Sequence, residues 1–127
     1  HISCSINLTA QNTSSGWTGE TVRYSGVKLF RDSTQIAVNS NNSGNRTSVW
    51  FSGNSVGDSG NDAYRMATSS GQYLDSPSTT RAITYKVQVG QSSLANSYVI
   101  TNSSPKDDNQ PYTHKGVSQL TVMEIAQ

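Results

Sequence analysis

One cysteine, three prolines and 17 charged side chains, nine basic and eight acidic, are few for a chain of 127 residues. Each scarcity excludes something. The single Cys4 rules out an internal disulfide, and a disulfide-stapled secreted scaffold with it. With a net charge of +1 and no basic block or stripe, the chain lacks the electrostatic footprint of a nucleic-acid or anionic-membrane binder. No apolar run approaches the roughly 18 residues of a membrane span, and no signal-peptide core is present in this stretch, so membrane insertion is not expected.

The catalytic inventory is equally thin. There is no H-E-x-x-H, no G-x-S-x-G, no phosphate loop and no local Cys/His pairing. The only histidines are the terminal His1 and His114, which lies in a very polar segment. The carboxylates include Asp32, the neighbours Asp107 and Asp108, and Glu124. Nothing in the pattern builds the pocket that would split a carboxylate pair into acid and base. Asp58 and Asp62 flank Gly60 and loosely suggest calcium ligation, but a third ligand and the closing Glu are missing. Asx turns account for the same residues, and calcium there is left open. The expectation is a chain with no enzymatic activity, no cofactor and no metal.

What is abundant is Ser, Thr and Asn, together more than a third of the residues, beside an apolar fraction of 32%. These side chains compete with helical hydrogen bonds and favour turns, whereas Thr, Val, Ile and Tyr suit strands. Five N-x-S/T sequons, at Asn7, Asn12, Asn41, Asn45 and Asn102, are what such a composition produces by chance. The length suits one domain burying about two thirds of its unfolded surface in one core. Because the chain opens at His1 directly inside a strand pattern, we read residues 1–127 as a single domain forming the C-terminal part of a longer polypeptide.

The strand signals are clear in places. Ile2, Cys4, Ile6, Leu8 and Ala10 alternate with Ser3, Ser5, Asn7 and Thr9, which predicts a strand over 2–10 with one buried face and Cys4 on it. Residues 21–38 read as two strands joined by a turn at Arg31-Asp32-Ser33-Thr34, with Gly26 as a bulge or kink. A short strand holds Val49, Trp50 and Phe51, and two more, 63–68 and 72–75, flank a break at Ser69-Ser70-Gly71. Pro77 ends that region. Ile83, Tyr85, Val87 and Val89 alternate with polar partners over 82–90, and further strands are expected at 97–101 and 117–126. About eight short strands with Gly-, Asn- and Ser-rich loops and no helix predict an all-β antiparallel sandwich of jelly-roll or Greek-key type.

The final stretch, SQLTVMEIAQ, does not fit a sheet with one wet face. Thr121, Met123 and Ile125 fall on one side and Leu120, Val122 and Ala126 on the other, so both faces are largely apolar. Such a strand needs a second cover, and in a chain otherwise so polar another copy is the expected one. Leu120, Val122, Met123 and Ile125 are therefore candidate oligomer-interface residues. Aromatics on loops can stack on sugar rings, which makes Trp17 and Tyr112, with His114, candidate ligand contacts.

The segment YLDSPSTTRAITYKVQV, residues 73–89, followed by VSQLTVMEIAQ at the end, resembles the C-terminal domains of tailed-phage virion proteins. These are fibre, knob and decoration proteins of marine and cyanobacterial phages, similar to C1q/TNF-like trimeric jelly rolls. The resemblance covers about residues 64–127. It implies a homotrimer on the virion surface, the distal domain of a tail fibre or similar appendage that meets the host surface and its glycans and docks to other virion proteins through a preceding segment. A capsid decoration or head-fibre role is the near alternative. From another class, the loop aromatics suit a carbohydrate-binding module of a secreted protein.

Overall fold

The computed structural model describes residues 1–12, 25–41, 44, 46–53, 66–91, 97–104, 109–111 and 113–125. Eight strands follow in chain order: β1 Ile2–Asn12, β2 Ser25–Arg31, β3 Thr34–Ile36, β4 Phe51–Ser52, β5 Ala67–Tyr73, β6 Tyr85–Gln91, β7 Ser97–Thr101 and β8 Gln119–Val122. They form two four-stranded antiparallel sheets, with no helix among the described residues. The chain is an antiparallel β-sandwich in which it repeatedly crosses between sheets, so that the last strand lies beside the first.

The two sheets share one plan. In the first, β1 is central: β5 pairs with Ile2–Leu8 along one edge, while β8 pairs with Ile2–Ser5 and β7 with Leu8–Asn12. Because a strand has only two edges, β8 and β7 lie end to end along the second. In the other sheet β2 is central, with β6 along its whole length and β4 and β3 sharing the opposite edge.

The period-two pattern of β1 drives the packing. Ile2, Cys4, Ile6 and Leu8 are buried against Val27 and Leu29 of β2, and Ile36, Val87, Val89 and Val99 fill around them. Trp50 and Phe51 close one flank. The Trp50 indole N–H donates to the Gln72 carbonyl at 3.3 Å, tying the β4 edge to β5 of the other sheet. The ring centroids of Trp50 and Phe51 stand 5.1 Å apart at 59°.

Several expectations hold and several need correction. The buried Cys4 and the hairpin at Arg31–Thr34 are as expected; Asp32 takes a left-handed φ of 54°, which a two-residue hairpin loop demands of its first position. Gly26 is not a bulge. It pairs in regular register with Ser52 and Gly90, and its missing side chain makes room for Val49, whose Cγ1 lies 2.5 Å from where a Cβ would stand. Nor do residues 69–71 break the chain: β5 runs through them because every residue from Ala67 to Tyr73 has a partner on β1. Ser69 is buried and Gly71 lies under the Phe51 ring. The sixth strand starts at Tyr85 rather than at residue 82, since Thr84 is committed to Asp32 through bonds in both directions. The last strand is four residues long, although Met123 still exchanges backbone bonds with His1.

Candidate functional site

The β8 strand sits where its sequence makes it conspicuous. Leu120 lies opposite Cys4 and Val122 opposite Ile2, so both share the core-facing side of their sheet. Yet they are 38% and 49% exposed, because among the described residues this flank carries no counterpart of the Trp50–Phe51 seal. Met123 and Ile125, just beyond, are 52% and 62% exposed, and Val117, just before, 88%. One short edge strand and its flanks thus carry most of the large exposed apolar side chains described.

Between β8 and β7 the shared edge of β1 has a gap, and Asn7 fills it. Its backbone N–H donates to Ser118 Oγ at 3.2 Å and its carbonyl accepts from Asn102 N–H at 3.0 Å. Its side chain donates to the Val117 carbonyl at 3.0 Å and accepts from Thr68 Oγ1 at 2.7 Å. Ser118 Oγ in turn donates to Asn102 Oδ1 at 2.6 Å, with Asn102 in a left-handed turn at φ 60° that Asn tolerates. Gly116 passes so close that a Cβ there would lie 2.5 Å from Asn7 Nδ2. This polar hub fixes where β8 starts.

The outer face of the same sheet is built from the polar half of the β1 alternation. Register places Gln72, Ser3 and Thr121 in one row across three strands and Ser70, Ser5 and Gln119 in the next. They line an open trough of about 430 Å³ that also includes Cys4 and Gly71. Among the described residues no charged side chain lines it.

At the end of the sandwich that carries the Asp32 turn, charges are paired and structural. Arg31 Nη1 donates to both Asp75 carboxylate oxygens, at 2.9 and 3.0 Å, and the Tyr85 hydroxyl donates to Asp75 Oδ2 at 2.7 Å. Burial, and then the bond to Asp75, push the Tyr85 phenol up to about 12. Arg81 pairs with Asp32 at 2.7 Å, and the Thr84 N–H bond together with that guanidinium holds the Asp32 carboxyl below the usual carboxylate range. Burial raises the Cys4 thiol, which keeps it protonated and inert. Every one of these groups is accounted for by a neighbour or by the core.

Among the described residues no three or more His, Cys, Asp or Glu side chains gather as metal ligands. Asp58, Asp62, Trp17 and Tyr112 lie outside the described residues. His114 is exposed, and its carbonyl accepts from Ser104 N–H at 3.4 Å. The structure thus gathers Leu120, Val122, Met123 and Ile125 at and just beyond one strand, with His114 in the segment that precedes it. Sequence reasoning missed the trough, whose rows join residues 3, 72 and 121; no pattern within one sequence marks that alignment. No family model matches the chain, nor does any curated protein or solved structure.

Proposed function

We propose that the chain is a virion structural domain that assembles as a homotrimer through its C-terminal strand, the distal domain of a tail fibre or similar appendage on the particle surface. The observation that supports this reading is the edge strand β8, which carries Leu120 and Val122 half-exposed on one side and leads into the exposed Met123 and Ile125. An exposed apolar edge is a liability in a free monomer and an asset at a subunit contact. Burying these four side chains between copies is worth roughly 1–2 kcal/mol each at about 25 cal/mol per Å².

The rest of the surface agrees with such a role. Its polarity comes mainly from hydroxyls and amides, with few charges that salt would screen. The resemblance of residues 73–89 and of the closing VSQLTVMEIAQ to phage virion domains supplies the biological setting.

Sedimentation velocity over a range of concentrations tests the proposal. The parent is expected as a trimer and Val122→Asp as a folded monomer with an unchanged circular-dichroism spectrum. A parent that stays monomeric at every concentration sinks the reading.

A further inference from the structure

We infer that the trough on the outer face of the first sheet is a binding site for a neutral glycan, its lining formed by Ser3, Ser5, Ser70, Gln72, Gln119 and Thr121. Three observations carry this. The first is the state of the polar groups. On this same face the next row along, Thr68 and Asn7 with Ser118 beside them, is fully committed to internal bonds of 2.6–3.2 Å. By contrast, none of the six trough side chains hydrogen-bonds to another described residue. Six convergent donors and acceptors are thus left for water or a ligand, on strands whose pairing holds them in place.

The second is charge. Among the described residues the lining contains no Lys, Arg, Asp, Glu or His, so an anion or cation finds no counter-charge there, whereas hydroxyls and amides match the donor and acceptor pairs of sugar hydroxyls. The third is shape. A depression of about 430 Å³ falls in the range of roughly 300–1,000 Å³ for small-molecule sites. Ser3, Ser5, Gly71 and Thr121 make its floor with Cys4, while Gln72, Gln119 and Ser70 are exposed around it. Its rows lie about 7 Å apart along the strands and its columns about 5 Å apart across them, a grid on the scale of one or two sugar rings.

With no aromatic platform among the described lining residues, each site binds weakly, with a Kd on the order of 1 mM. This inference goes beyond the assembly reading and stands on a single chain. A parent chain that stays monomeric at every concentration yet binds sugar overturns the assembly reading and leaves the glycan site intact.

The test is a titration of the ¹⁵N-labelled full chain with lactose, maltose and chitobiose, followed by amide chemical shifts, with sialyllactose as a charged comparison. At least one neutral disaccharide is expected to move the amides of residues 3–5, 70–72 and 119–121 saturably. The double variant Ser5→Val, Ser70→Val replaces the two paired hydroxyls of one row with apolar, strand-favouring side chains and should weaken that response at least tenfold. Gln72→Ala with Gln119→Ala removes the rim amides without touching the floor and serves the same purpose if the first pair does not fold. No saturable shift with any of the three sugars overturns the inference, as does an undiminished response in a folded variant. Trough shifts that grow with protein concentration in the absence of sugar assign the face to a second copy and overturn it equally.

Discussion

Replacing Gly71 by Ala is expected to destabilise this protein, although in an ordinary strand position the same exchange stabilises by about 0.5–1 kcal/mol. A Cβ at Gly71 would overlap the Phe51 ring edge at Cδ1, lie 2.9 Å from Cε1 and stand 3.1 Å from Trp50 Cε2. Optimal carbon contacts are about 3.5–4.0 Å, so at least one ring must move. Neither is free to do so: Phe51 is paired opposite Val27, and Trp50 is held by its backbone N–H on the Val27 carbonyl at 2.6 Å and by its indole on Gln72. Overpacking of this kind costs about 1–3 kcal/mol, which outweighs the propensity gain.

Urea denaturation of the parent, Gly71→Ala, Phe51→Leu and the double variant measures this directly, because a double-mutant cycle isolates the clash from the separate cost of losing the ring. The Ala substitution should lose about 1–3 kcal/mol alone and little or nothing once Phe51 is Leu. A Gly71→Ala variant as stable as the parent, or one whose cost persists in the Phe51→Leu background, would refute the packing described for this flank.

Three further outcomes are expected. Ser25 is buried with its hydroxyl unpartnered among the described residues and sits where a side chain on Gly53 would otherwise stand, so Ser25→Ala should gain about 1 kcal/mol; a lower thermal midpoint counts against this. Tyr85 has a folded-state pKa raised from 10.0 to about 12. Its contribution is therefore complete below pH 10 and lost as the pH rises towards 12, and Tyr85→Phe should flatten stability over that window; an identical alkaline slope in both proteins contradicts the assignment. Asn7→Ala removes two side-chain bonds at the junction of β7 and β8, costing about 1–3 kcal/mol, and should speed amide exchange at residues 117–122 more than in β2.

Much of the architecture was legible because it rests on local signals. The alternation of Ile2, Cys4, Ile6 and Leu8 with serines and asparagine specifies a half-buried strand wherever it is placed, and Asp32-Ser33 between two strand-forming runs specifies a hairpin. Ser69-Ser70-Gly71 misled for the opposite reason. Its composition reads as a turn, yet seven consecutive pairings to β1 and the ring of Phe51 above Gly71 decide its conformation from far away in sequence. Gly26 misled similarly, since the need for a missing side chain there comes from Val49. For the candidate sites the divide is sharper. The apolar excess of β8 was plain in the residues, but its place on an edge, and so its exposure, follows from pairing with β1 across more than a hundred residues. The serines of the trough looked only like the wet half of an alternating strand. What distinguishes them is register with β5 and β8 and the absence of internal partners, and neither is a property of a segment read alone.

The alternation of β8 makes assembly and sugar binding separable. Leu120 and Val122 turn towards the open flank, whereas Gln119 and Thr121 turn towards the trough, so a change on one side leaves the other side's atoms in place. Val122→Asp should abolish the trimer while the monomer still responds to a neutral disaccharide at its 70–72 amides. Ser5→Val with Ser70→Val should stay trimeric and stop responding. Three shallow sites in one particle would act together through effective concentration, so on a glycan-coated surface the parent should hold at least about a hundred times more tightly than the Val122→Asp monomer. Equal retention of monomer and trimer on that surface would mean that the trough does not act multivalently, and that β8 has a role unconnected with attachment.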